Sequence, residues 1–218
     1  MPVPSALVIG AGPGIGRAVA QRFAADGWAV TVIARSAETV DETTAAVRAH
    51  GGAVLGLRAD STDEAGLLSA LDRAVATHGV PDVIIYNAAR LRADRVGELS
   101  SAELLATLDV NVVGLATAAT HLGPAMAERG SGSILITSGM PAVKAEYTSL
   151  SLGKAAARVY AELLAAEYGP AGIHVASIIV TDVVEPGTAF DPAKIAAVYP
   201  ELHAQPRDRW ELTRVFDG

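Results

Sequence analysis

The sequence predicts an α/β fold: a doubly wound parallel sheet with helices on both faces, built as one domain over 1–218. Short β-branched runs alternate with longer Ala/Leu-rich segments of helical period. The runs are apolar at nearly every position, as strands covered on both faces should be. With 50% hydrophobic and 19% charged residues, a chain of 218 residues can bury one substantial core.

Taken in order, the first strand is "ALVIG" (6–10), followed by the glycine turn "GAGPGIG" (10–16) and a helix over about 14–26. "AVTVIA" (29–34) precedes a helix at 37–50. "AVLGLRA" (53–59) precedes one at 62–78, which "STDE" (61–64) is expected to open as a capping box. "DVIIYN" (82–87) leads to a long helix at 101–128, "SILITS" (133–138) to a helix at 150–168, and "HVASIIV" (174–180) closes the series. Right-handed crossovers between parallel strands make this a doubly wound sheet. After Val180 the rhythm breaks. Pro and Gly punctuate one short helix within 185–210, a segment expected on the substrate side, and "ELTRVF" (211–216) fits an edge strand.

Composition narrows the function. The net charge is -7 and no Lys/Arg cluster is visible, which excludes a nucleic-acid surface and favours small molecules. There is no cysteine, hence no disulfide framework or thiolate metal site, which fits the reducing cytoplasm. His50, His78, His121, His174 and His203 lack metal-ligand spacing, so no metal is expected. The start has no basic n-region and no uninterrupted apolar run approaches about 18 residues, so no signal peptide or membrane span is indicated.

The glycine turn falls between a strand and a helix, where backbone N–H groups and the helix dipole face a pyrophosphate. Arg35 ends the second strand, where an acidic residue would serve ribose hydroxyls; an arginine there suits a 2′-phosphate, or is a solvated surface cation. Asp60 ends the third strand, suited to an adenine contact or to capping a helix.

These residues resemble the short-chain dehydrogenase/reductase family over nearly the whole chain. "IGAGPGIG" matches its TGxxxGxG with Ile9 in place of Thr, "YNAA" (86–89) is a degraded NNAG, Asn111 in "LDVNVVG" matches its helix asparagine, Ser138 its serine and Lys154 the lysine of its YxxxK. The resemblance implies a Rossmann fold, NADP(H) as cofactor, and a cofactor site of Gly10, Gly14, Ile15, Gly16, Arg35, Asp60, Ser61, Asn87, Ala88, Lys154 and Val183. It also implies a homodimer or homotetramer packed through the 101–128 and 150–168 helices.

The resemblance breaks at the chemistry. The family's general-acid tyrosine, four residues before the lysine, is Leu150 here, and a leucine neither donates nor accepts a proton. Tyr147 lies seven residues before Lys154, about 10 Å of rise if both are helical. That Y-x6-K spacing resembles the enoyl-acyl-carrier-protein reductases of the same superfamily. Asn111, Ser138, Tyr147 and Lys154 are therefore the expected catalytic set. Phe190, Tyr199, Leu202 and Trp210, in or beside the substrate-side segment, imply an apolar or aromatic ligand. The expected activity is NADPH-dependent reduction of an apolar carbonyl or conjugated enoyl substrate. The alternatives are a catalytically silent NADP(H)-binding protein and a non-redox isomerase or cyclase.

Overall fold

In the computed structural model, which describes residues 3–218, seven parallel strands form one sheet in the order β3-β2-β1-β4-β5-β6-β7. They are β1 (Ser5–Ile9), β2 (Ala29–Ala34), β3 (Val54–Arg58), β4 (Val83–Tyr86), β5 (Gly132–Ser138), β6 (Ile173–Val180) and β7 (Thr213–Phe216). The order reverses between β1 and β4, so both strands aim their C-terminal ends at the crevice where such sheets bind ligands. The predicted edge strand is β7, parallel to β6.

The strands read as unbroken apolar runs because successive side chains enter opposite layers. Leu7 and Ile9 join one core with Leu67 and Leu71 of α3 (Glu64–His78), Leu115 and Met126 of α5 (Gly114–Arg129), and Leu164 of α6 (Thr148–Tyr168). Ala6 and Val8 face the other core, with Phe23 of α1 (Ile15–Ala25), Val47 of α2 (Ala37–Arg48), and Ile195, Tyr199 and Leu202 of α7 (Pro192–His203).

Two helical expectations need correction. "STDE" is no capping box: the N-cap of α3 is Asp63, which accepts from Gly66 N at 3.2 Å, while Ser61 is buried before the helix. The reciprocal box lies at Ser100 and Glu103, opening α4 (Ser101–Leu108). Nor is 101–128 one α-helix. Between α4 and α5 runs a π-turn, Asp109–Val113, where Gly114 N donates to Asp109 O, five residues back. The whole run Ser101–Arg129 is long and apolar enough, by length and composition alone, to cross a membrane, with an 18-residue window of mean hydropathy 1.4. Here it packs against α3 and α6, and 39% of that window is buried.

Candidate active site

Above the C-terminal ends of β1, β2, β4 and β5 lies a cleft of about 1370 Å³. Its floor is the glycine turn. Gly10 has φ +88°, and a Cβ on it would stand 2.3 Å from Ala88 N; one on Gly16 would stand 2.3 Å from Gly10 O. Both glycines are demanded by backbone contact. Asn87 closes the arrangement by donating its side-chain N–H to Gly10 O at 2.7 Å. Gly12 and Gly14 have open space where a side chain would sit, and α1 begins with no side-chain cap. Bare backbone and an uncapped helix N-terminus thus face the cleft, which fits a pyrophosphate.

At one end of the cleft Arg58 Nε donates to Arg35 O at 3.1 Å, because the β2–β3 register sets Arg58 opposite Ala34. Both guanidinium groups are exposed, and among the described residues neither forms an ion pair. Asp60 accepts from the N–H and hydroxyl of Thr62 through one oxygen, turning the chain into α3. These residues put two exposed cations and one carboxylate at this end of the cleft.

The other end holds the residues expected to be catalytic. Ser138 ends β5 and Lys154 lies two turns into α6, with its Nζ donating to Thr137 O at 2.9 Å. Burial, and then the neighbouring Arg158, bring the Lys154 ammonium down to about 8. Arg158 donates to Gly139 O at 2.9 Å and stands 3.5 Å from Ser138 Oγ. Leu150, one turn before Lys154, is buried on the same wall. Asn111 sits in the π-turn, donates to Thr107 O at 2.9 Å, and has a buried Oδ1 without a partner. A Cβ on Gly153 would lie only 3.1 Å from the Asn111 side chain, so glycine there lets α6 approach the π-turn.

Tyr147 is not helical: it is the N-cap of α6, with φ -137° and ψ 51°. It lines the cleft with Leu150 and Lys154. The entrance is held from outside the helix by Asp94, a buried carboxylate in the loop after β4, which accepts from Ser149 N at 2.9 Å and from the Ser149 hydroxyl.

Of the residues expected at the site, Gly10, Gly14, Ile15, Arg35, Asp60, Ser61, Asn87, Ala88, Ser138, Tyr147, Lys154 and Val183 line the cleft. Gly16 and Asn111 are buried behind it. The expected substrate-side segment 185–210 does not line it. Tyr199 is buried in the core, with its hydroxyl 2.6 Å from Thr137 Oγ1, and Leu202 is buried beside it. Trp210 stacks on His174 at 5.0 Å, and Phe190 meets Phe216 edge-on at 5.8 Å. The reason is that α7 packs against α1, on the sheet face, instead of folding over the cleft. Apolar walls are supplied by Leu91, Met140, Leu150, Val183 and Val184.

Arg58, Arg158 and Asp94 were not anticipated. Arg158 has a signal, the i+4 spacing from Lys154 that places both on one helix face. Arg58 and Asp94 depend on strand register and loop path, which sequence spacing does not reveal.

Fold and cleft together define an α/β protein built around a dinucleotide-type crevice. The family profile described as short chain dehydrogenase matches residues 4–190, and the chain belongs to that family. The short-chain reductase protein NovJ of Streptomyces niveus is 35% identical over 175 residues, covering 79% of this chain and 66% of that protein. The probable oxidoreductase EphD of Mycobacterium tuberculosis (strain ATCC 25618 / H37Rv) is 32% identical over 174 residues, 78% of this chain and 29% of that protein. The chain thus spans under a third of the mycobacterial relative. A crystal structure of a short-chain dehydrogenase from Rhodopseudomonas palustris superposes with a TM-score of 0.89 at 25% identity, covering 99% of this chain and 98% of that one.

Proposed function

We propose that the chain is an NADPH-dependent oxidoreductase that reduces an apolar carbonyl or a conjugated enoyl substrate. The observation that carries this is one cleft that has, at one end, two guanidinium groups without an ion pair among the described residues and, at the other, Ser138 and Lys154. Gly10 to Gly16 would hold the pyrophosphate, Arg35 and Arg58 the 2′-phosphate, Asp60 the adenine, and Asn87, Lys154 and Val183 the nicotinamide half. The cofactor, when bound, supplies the hydride. Ser138 Oγ–H is suited to donate to the substrate oxygen, and Arg158 holds the adjoining Gly139 carbonyl. Asn111 lies against α6 at Gly153. Leu91, Met140, Val183 and Val184 exclude water and favour an apolar substrate.

One observation favours a second reading. Leu150 is buried without a hydroxyl where the family's acid stands, which suits a silent NADP(H)-binding protein. The experiment that separates them is calorimetric binding of NADPH followed by its oxidation with apolar ketones, aldehydes and 2-enoyl thioesters. Binding without oxidation for any of them favours the silent protein. In that assay Tyr147→Phe costs about 10²-fold in turnover if that hydroxyl polarises the carbonyl and almost nothing if it packs.

The reading includes assembly of two or four copies. Leu105, Val113, Leu152, Val159 and Leu163 are exposed on α4, the π-turn and α6, an apolar face suited to a two-fold partner.

A further inference from the structure

Among the described residues, Lys154 is the only buried titratable side chain on the cleft wall: Arg35, Arg58, Lys144 and Asp182 are exposed, and Asp60 and Tyr147 are partly so. An ammonium has three donors, and the protein takes one, at Thr137 O. No carboxylate pairs with it among the described residues. The residue one turn before it is Leu150, and the residue one turn after is a second cation, Arg158, fixed by the Gly139 carbonyl. We propose that Lys154 itself donates the proton to the substrate oxygen, and that Arg158 is the positioning residue that keeps its ammonium ready to let the proton go.

This rests on the reductase reading. With the hydride that a bound reduced nicotinamide would supply, the new C–H bond would form at the carbonyl carbon and the C=O π pair would move onto oxygen. The Lys154 Nζ–H bond breaks to make the O–H bond, leaving an alcohol and a neutral amine, which regains its proton from water. Burial and Arg158 bring this group to about 8, close enough to neutral pH for an effective proton donor. The same cleft is lined by Lys144 and Tyr147 from the α6 entrance, Asp182 from the loop after β6 and Ser138 at the end of β5, while the neutral amide of Asn111 lies against Gly153, the residue before Lys154. From α7, Tyr199 bonds Thr137, and burial raises its pKa, so it stays neutral.

The chain has three lysines, Lys144, Lys154 and Lys194, so 13C-lysine NMR resolves the titration directly, with Lys154→Met assigning the signal. The expected midpoint is near 8, rising in Arg158→Met and staying low in Arg158→Lys, which keeps the charge. The alkaline limb of kcat for NADPH oxidation moves to higher pH in Arg158→Met by the same amount, and Lys154→Met at saturating NADPH loses about 10²-fold or more. A midpoint at the ordinary lysine value, a limb that ignores Arg158→Met, or a limb abolished by Tyr147→Phe overturns the assignment while leaving the reductase reading intact. Absence of NADPH oxidation by the unsubstituted protein overturns both.

Discussion

The hydroxyl of Tyr86 donates to the main-chain carbonyl of Val110 at 2.5 Å, tying the end of β4 to the π-turn that carries Asn111. Both groups are buried, and burial raises the phenol's pKa, so it remains a donor. Tyr86→Phe leaves that carbonyl unpaired, and a loss of about 1–3 kcal/mol in urea unfolding is expected. A change under about 0.5 kcal/mol would mean that the bond contributes nothing to holding the turn.

Arg35 and Arg58 present two cations that form no ion pair among the described residues. NADPH is expected to bind at least tenfold tighter than NADH, since a guanidinium gaining a phosphate is worth about 1.5–3 kcal/mol. Arg35→Ala should remove most of that preference and Arg58→Gln part of it, with NADH affinity unchanged in calorimetry. Equal affinities for the two cofactors in the unsubstituted protein would rule out the 2′-phosphate assignment.

Gly12 and Gly16 belong to one turn but face different surroundings. A methyl at Gly16 meets the Gly10 carbonyl at 2.3 Å, and backbone cannot yield cheaply, so Gly16→Ala should cost about 1–3 kcal/mol of stability. Gly12→Ala meets nothing within 4 Å and should stay within about 0.5 kcal/mol. Thermal unfolding of the pair checks both.

Lys154 makes stability depend on pH in a known direction. Its folded value of about 8 lies below the ordinary 10.5, so between these two pH values the unfolded chain binds more protons and stability rises with pH. Below about 8 the whole cost, about 3 kcal/mol, is present. Lys154→Met removes this dependence. The difference between the two stability profiles should therefore climb from pH 8 to 10.5, and a flat difference would contradict a buried, depressed lysine.

The apolar face of α4 and α6 should hold a second copy. Val159 and Leu163 are 55% and 60% exposed, so replacing both with Glu is tolerated by the isolated fold. Light scattering should give an oligomer for the unsubstituted chain and a monomer with unchanged circular dichroism for the double variant. A monomer at micromolar concentration before substitution would refute the assembly.

Strand positions were legible in the sequence because burial on both sheet faces writes itself as an unbroken apolar run, and β7 because "TRVF" retains strand character after a Pro-rich segment. The helix start at α3 was not. Both Ser61 to Glu64 and Ser100 to Glu103 satisfy the same pattern, and Ser61 is instead buried under the π-turn, where its carbonyl would touch a Cβ on Gly114. Ser138 and Lys154 could be placed by their resemblance to the family's motifs, and both line the cleft. The substrate walls could not, because the aromatic content of 185–210 does not reveal that Tyr199 turns inward to Thr137 and Trp210 to His174. The partnership of Arg58 with Arg35 likewise arises from the parallel register of β2 and β3.

The π-turn also has a hereditary side. A hydrogen bond from Gly114 to Asp109 spans five residues where an α-helix spans four, so the turn accommodates one residue beyond what a straight helix would hold. Losing a single codon at 112 or 113 would let the run close as a regular helix with its two flanks nearly in their present relation, while the residues of the turn itself are drawn to new positions. Asn111, the Val110 carbonyl and the glycine contact at Gly153 would lose their alignment together, although no side chain in any of them had been altered.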